Sequence, residues 1–556
     1  MNKLWRLGSM ILLFILLANA PTAQGSHRGS PAGGTADTGG PSTSPRWRTF
    51  TGLLPPWYVT AHSYRASEAP DPPTITPDLH RRLLATDEKD TIRVIVTMRE
   101  RLEPETLSTG TEPKEGTAAL VAALKATAHR AQAPIRTYLD EMMAVGSVSS
   151  YQPLWINNAI VVEASPSGVR SLGSHPGIEA VALDQWRQWV TSAPAAATDP
   201  RSRSENESPK EGAGTGQDGA VAWNISRVRA DEVWATLLIS GTGAVVAGMD
   251  TGVDWMHPAL RSSYRGYHPH GPAEHRSSWF DATDGGAVYP VDAHGHGSHT
   301  MGTLVGQDGI GVAPGARWIG VRVLNREGYG YDSWIHAGFQ WLLAPNGDAT
   351  KAPDVVNCSW GNENGHQVTF RDDLRALRAA GIIPVFSGGN GGPDEASVVS
   401  PASLPEALAV GATDQDDRVA TFSSRGPSPW GEIRPHVVAP GIDIRSSTPG
   451  GGYASRQGTS MAAPHVSGVA ALLRSVSRTL GVTETIYAIT STALPLGEEV
   501  PNNEAGWGRV DALAAVASVD QAGFLSGTVR DASEGKGIAG ATVSAAAHGE
   551  GARGMA

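Results

Sequence analysis

Five short apolar runs punctuate the middle of the chain: "AVVAGM" (244–249), "ARWIGVRVL" (316–324), "PDVVNC" (353–358), "GIIPVFS" (381–387) and "ALAVGA" (407–412). Helical patterns lie between them. Unbroken apolar strands separated by helices predict an α/β fold, a parallel sheet covered on both faces. In such sheets functional groups gather at the carboxyl ends of the strands. Three of the runs end in "DTG", "SWG" and "GGNGG", which locates an expected site.

Upstream the pattern differs. "TIRVIVTM" (91–98) alternates as a strand does, and "NNAIVVEA" and "IEAVALDQ" follow as further strands. Leu120, Leu124, Ala128, Ala131, Ile135, Leu139 and Met142 recur at three- and four-residue steps, a helix expected to bend at Pro134. "SPSGVRSLGSHPG" reads as a short helix with stop signals. Residues 89–190 therefore form a small α+β domain. It is flanked by a low-complexity, irregular segment (24–88) and a polar, Pro/Gly-punctuated linker (191–220) open to proteolysis. The α/β domain covers 221–517, and 518–556 reads as the start of a truncated β-sandwich-like domain.

Composition narrows the class. The 556 residues carry a net charge of -11 with 18% charged residues, and no basic patch suited to nucleic acid. Lys3 and Arg6 precede an apolar run from Met10 to Leu17 and then small residues, the layout of a secretory signal peptide (1–23). The run is shorter than the ~18 residues a membrane span needs, so a secreted, extracellular protein without a span is expected. The single cysteine, Cys358, excludes an internal disulfide and reads as a buried, inert thiol at a strand end.

Taken singly, the candidate site residues are weak signals. Asp250 in "MDTGVDWMHPAL" ends a strand, where a turn or capping aspartate is the simpler reading. An aspartic protease would need a second such motif, which is absent. Ser460 in "GTSMAAPHVSGVAALL" opens an apolar helix, where the dipole and free N–H groups favour a developing anion, or where a serine simply caps. Asn390 in "FSGGNGGP" could donate to an oxyanion from its glycine-rich turn. "VDAHGHGSHT" (291–300) holds His294, His296 and His299, a spacing open to metal binding or to proton transfer.

The combination is specific. Asp250, "HGSH", Asn390 and "GTSMAAP" in that order resemble the subtilisin-like serine proteases (subtilases), whose aspartate–histidine–serine order is itself a known family trait. The resemblance covers about residues 221–517 and includes "GVAPGARWIGVRVL", "VAPGIDIRSS" and "GWGRVDALAAV". "WFDATDG", "SSRGPSPWGEIRP" and "LWINNAIVVEA" are most similar to its bacillopeptidase F branch. The unit at 89–190 resembles the propeptides that chaperone and inhibit these enzymes.

What the resemblance implies is a monomeric serine endopeptidase of the α/β subtilisin fold, acting on protein and peptide substrates and made as an autoprocessed precursor with its own propeptide as inhibitor. Ser460 would be the nucleophile, His296 the general base and then acid, and Asp250 the residue that holds the histidine's tautomer. Asn390 and the Ser460 N–H would form the oxyanion hole. Ser359, Trp360 and Gly361, with Ser387, Gly388 and Gly389, match the segments lining the substrate cleft, and Asp292, which matches an acidic residue beside the histidine, is counted with these cleft residues in a supporting role. His299 is then a packing residue and His294 a border of the cleft.

The match departs at the family's high-affinity calcium site. Ala259 stands where a carboxylate usually follows "HP", and "GTLVGQDGIGVAP" shortens the loop that supplies other ligands. That site is expected to be missing, with calcium elsewhere left open, the metal ligands unknown and no cofactor needed for the chemistry. Gly388 replaces an alanine before the Gly-Asn pair. Two other readings stand beside the protease: a catalytically degenerate surface or adhesion protein, and a zinc hydrolase on the three histidines, which lacks an "HExxH" helix.

Overall fold

A computed structural model describes residues 75–107, 113–191 and 220–520, all of them within one unit, Glu68–Phe524. The alternating run near residue 91 forms β1 (Ile92–Met98), with Val94 and Val96 wholly buried. It pairs antiparallel with β3 (Ala159–Ala164) and β4 (Ile178–Leu183), and β2 (Val148–Leu154) completes a sheet of order β2-β3-β1-β4. Helix α1 (Pro77–Ala85) buries Leu79 and Leu83, and α2 (Pro113–Ala144) adds Ile135, Leu139 and Met142 to the same core. Pro134 lies inside α2, which runs through it. The short helix α3 (Pro166–Leu172) is capped by Ser165, whose hydroxyl accepts from the Gly168 N–H.

One expectation is corrected here. Residues 24–88 read as irregular, yet α1 lies within them and Ile75 bridges to Val181 on β4. Its pattern is only Leu79, Leu83 and Leu84, of which two are buried, too sparse to separate from loop by periodicity. Residues 1–74, 192–219 and 521–556, which carry the expected signal peptide, most of the linker and the expected β domain, lie outside the described residues.

The chain then crosses to the larger sheet through β5 (Trp186–Gln188). Seven strands make that sheet: β6 (Val245–Asp250), β7 (Trp279–Asp281), β8 (Arg317–Arg322), β10 (Val355–Cys358), β11 (Ile383–Ser387), β12 (Leu408–Thr413) and β13 (Val437–Pro440). All are parallel, in the order β13-β12-β11-β10-β6-β8-β7. Every residue of β10, β11 and β12 is buried, as expected for strands covered on both faces. The covering helices include α4 (His296–Val305), α5 (Asp332–Leu343), α6 (Arg371–Ala379), α7 (Thr459–Val476) and α8 (Ala512–Asp520), which runs past the boundary expected at 517. A hairpin, β14 (Ile444–Thr448) with β15 (Gly452–Arg456), packs against α4. Among the described residues no helix is long and apolar enough to cross a membrane.

The smaller sheet docks on α5 and α6 through an apolar cluster of Leu154 and Val161 with Ala337, and through polar groups. At the N-terminus of α5, Asp184 accepts from the Ser333 N–H at 2.9 Å and its hydroxyl at 2.6 Å, a carboxylate placed at the positive end of a helix. Further along, Gln340 Oε1 accepts from the Trp155 N–H at 2.5 Å. Arg101 meets Asp372 and Arg375 meets Glu105, at 2.8 and 2.7 Å. β5 pairs antiparallel with β9 (Tyr329–Tyr331), drawing the end of the small unit into the larger one.

Candidate active site

From β6 the chain goes to the edge strand β7, returns to β8 beside β6, then crosses to the other side of β6 as β10 and builds the other half of the sheet. The carboxyl ends of β6 and β10 therefore flank the point where strand order reverses, where a crevice is expected. Asp250 ends β6 and Ser359 follows β10.

The loop after β6 is drawn against the loop before α4. Gly252 has φ 118°, and a side chain there would collide with the Val291 carbonyl, so only glycine permits the approach. Asp292 fixes the second loop. Its Oδ1 accepts from the His294 and Gly295 N–H groups and the Thr251 hydroxyl, and its Oδ2 from the N–H and hydroxyl of Ser298. Asp292 was expected to line the cleft; instead it is buried with both oxygens engaged, and it anchors the start of α4. The correction has a local cause: five donors within or beside its own loop outcompete solvent for the carboxylate.

With both loops held, His296 at the start of α4 brings Nδ1 to 2.8 Å from Asp250 Oδ1 and 3.0 Å from Oδ2. Both residues are buried. Asp250 Oδ1 also accepts from the Thr251 N–H at 2.7 Å, which keeps the carboxylate facing the ring. The other two histidines diverge. His299 is fully buried, its Nε2 3.0 Å from the Ala454 carbonyl, and burial lowers its pKa to about 3. His294 is half-buried, its ring centroid 6.0 Å from that of His296, and desolvation with the nearby His296 lowers its pKa.

Ser460 stands in the first turn of α7 behind Gly458, whose φ of 142° with ψ of 161° is a conformation open essentially to glycine alone. Pro464 lies four residues on and has no N–H, so the Ser460 carbonyl lacks its helical partner. The Ser359 hydroxyl fills that vacancy, donating to Ser460 O at 2.8 Å. Asn357 Nδ2 donates to Ser359 Oγ and Ser467 Oγ to Asn357 Oδ1, each at 2.9 Å, so β10 and α7 are locked together beneath the serine. The Ser460 hydroxyl itself donates to the Ser359 carbonyl at 2.9 Å rather than to His296.

Asn390 caps the arrangement. Its Oδ1 accepts from the N–H and hydroxyl of Thr459, both at 3.0 Å, which fixes the amide and turns Nδ2 outward. Nδ2 donates to the carbonyl of Thr191 at 3.2 Å. Residues 189–191 run on from the end of β5 into the cleft: the Trp189 N–H donates to Gly328 O at 2.9 Å, and the Gly361 N–H donates to Trp189 O at 3.1 Å. The Trp189 ring packs edge-on against Trp360, with centroids 5.5 Å apart.

Trp360, Gly361, Ser387, Gly389, Asn390 and Ser460 line one cleft with Trp189 and Thr191. Ser359 and Gly388 lie behind it, Ser359 in the hydrogen bonds above and Gly388 holding Val410 O and the Val399 N–H. Trp360 is almost wholly buried with Nε1 on the Met249 carbonyl at 2.7 Å, so it forms wall and core at once. Cys358, beneath the site, is buried, and burial with the Asp250 charge raises its thiol pKa well above the ordinary value. Sequence reasoning missed Thr459, Thr251 and the segment 186–191; the first two flank recognised motif residues, whereas the third is revealed only by its pairing with β9.

The match to the subtilase family model spans residues 241–508. Bacillopeptidase F of Bacillus subtilis (strain 168) is 42% identical over 435 residues, which cover 74% of this chain and 29% of that protein. Alkaline elastase YaB of Bacillus sp. (strain YaB) is 35% identical over 299 residues, covering 53% of this chain and 70% of the relative. Subtilisin Savinase of Lederbergia lenta is 34% identical over 300 residues, covering 53% and 98%. The chain thus spans less than a third of the bacillopeptidase F it matches and most of the two shorter relatives. It belongs to the subtilase family.

Proposed function

We propose that this protein is a secreted serine endopeptidase that hydrolyses peptide bonds through an acyl-enzyme and matures by cutting itself. Ser460 Oγ attacks the carbonyl carbon, and His296 takes its proton and later gives it to the leaving amine. Asp250 holds the ring with Nδ1–H toward its carboxylate and stabilises the charged form. The negative oxygen is received by Asn390 Nδ2 and the Ser460 N–H at the start of α7, where the helix dipole adds to the effect. Rotation of the Ser460 side chain about its first dihedral, away from Ser359 O, precedes attack; such catalytic bonds often tighten only with substrate bound.

The observation that carries this reading is the Thr191 carbonyl on Asn390 Nδ2. A chain in the cleft with its carbonyl on that donor has the geometry of a substrate or product. It supports Thr191–Ser192 as the bond cut in maturation and the preceding unit as the inhibitor that stays behind. The apolar N-terminus with its basic flank supports export before that step. The test is Ser460→Ala in the full chain. It is expected to leave an intact precursor, while the parent yields a new N-terminus at Ser192; a mutant that matures normally sinks the self-cutting scheme. Labelling of the mature parent by a fluorophosphonate probe separates the enzyme from a degenerate protein, which would not react.

A further inference from the structure

Val399 stands where a side chain entering the cleft beside Thr191 must go. Thr191, Gly361, Gly389 and Val399 line the same space, and its two walls are glycines. A Cβ built on Gly389 would lie 2.5 Å from Val399 Cγ1, and one on Gly361 would press still closer on Val399 Cγ2. The isopropyl group therefore fills the gap that the two glycines leave. The segment that carries it cannot draw back, because its backbone is tied to both walls. The Val399 N–H donates to Gly388 O at 3.1 Å, and the next residue, Ser400, exchanges N–H···O bonds of 3.0 and 2.8 Å with Asn362, beside Gly361. The residue that the chain itself presents there is the small Thr191.

We infer that Val399 is the floor of the primary specificity pocket and restricts the residue before the cut to small side chains such as alanine or threonine. The inference rests on the endopeptidase reading above. A phenylalanine ring needs the volume that the two methyls occupy, and a packed, doubly tethered floor does not yield to it. Differences of a few methylenes in such pockets change turnover by roughly ten- to two-hundredfold.

The full chain, expressed and left to mature, is assayed on peptides identical except for alanine, threonine, leucine or phenylalanine before the scissile bond. The parent is expected to favour alanine over phenylalanine in kcat/KM by roughly tenfold or more. Val399→Gly is expected to raise the phenylalanine-to-alanine ratio by at least about tenfold, with Val399→Ala between. A parent that cuts the phenylalanine peptide as well as the alanine one overturns the proposal. So does a Val399→Gly enzyme that cuts the alanine peptide with an unchanged ratio. If Val399→Gly fails to mature, the parent profile and Val399→Ala decide by the same criteria. A parent that cuts no peptide and resists a fluorophosphonate probe refutes the endopeptidase reading, and the pocket with it, a pattern unlike either result above.

Discussion

Asn390 Nδ2 and the Thr191 carbonyl meet at 3.2 Å, joining the glycine-rich turn after β11 to the end of the N-terminal unit. The contact is possible because three independent structures converge on it. Thr459 fixes the amide, β9 aligns the incoming strand through β5, and Gly361 holds Trp189 from the opposite side. A donor so immobilised needs no reorganisation when charge develops, which is the physical basis of its expected strength.

Asn390→Leu is therefore expected to lower kcat by about a hundred- to a thousandfold with little change in KM, a range carried over from subtilases themselves. Steady-state kinetics on one peptide substrate reads both constants. A rise in KM with kcat preserved would mean that Asn390 binds the ground state and has no special hold on the oxyanion.

Asp250→Asn tests the histidine's orientation. The amide can present a donor to His296 Nδ1, reversing the tautomer and leaving Nε2 with a proton, unable to act as base. Turnover is expected to fall by roughly ten-thousandfold while the fold survives. Loss of only a few fold, with an unaltered pH profile, would remove Asp250 from the catalytic set.

Much of this site was legible in the sequence, and the boundary is instructive. Asp250, His296, Asn390 and Ser460 sit at strand ends or a helix start, in short motifs whose order carries the information. The parallel strands were legible because apolar runs this short fit a strand buried on both faces better than a helix. What escaped depends on partners distant along the chain. β5 reads as polar sequence until β9 lies beside it, and the hairpin β14–β15 has an irregular burial pattern over Gly452–Arg456 that gives no period-two signal. Asp292 was placed near the right histidine, but nothing in its neighbours' identities disclosed that backbone N–H groups would claim its oxygens.

Ser359→Ala separates scaffold from chemistry. It strands the Ser460 carbonyl that Pro464 has left without a helical donor, and it removes the acceptor of Asn357 Nδ2. A buried group left unpaired costs about 1–3 kcal/mol. Denaturant unfolding of the Ser460→Ala precursor with and without Ser359→Ala is expected to show a loss in that range. Equal midpoints would mean that water or a local shift replaces the hydroxyl.

The last prediction concerns acid. His299 is buried beside α7 and the hairpin, with Nε2 on the Ala454 carbonyl and Nδ1 unpaired, the pattern of a neutral ring. Its pKa is lowered from 6.5 to about 3, mainly by burial and then by the nearby Arg456 charge. A histidine depressed in the native state contributes stability that is complete above pH 6.5 and is lost as pH falls toward 3. The loss approaches about 1.4 kcal/mol per pH unit, hence about 2 kcal/mol by pH 5. His299→Gln removes the titration, although it also disturbs the bond to Ala454 and lowers the plateau at neutral pH. Unfolding free energies at pH 7.5 and pH 5, measured on protein blocked at Ser460 by a sulfonyl fluoride, are expected to fall about 2 kcal/mol further in the parent than in the variant. Parallel losses would assign the acid sensitivity to other groups, His465 first, since its burial in α7 lowers its pKa to about 4.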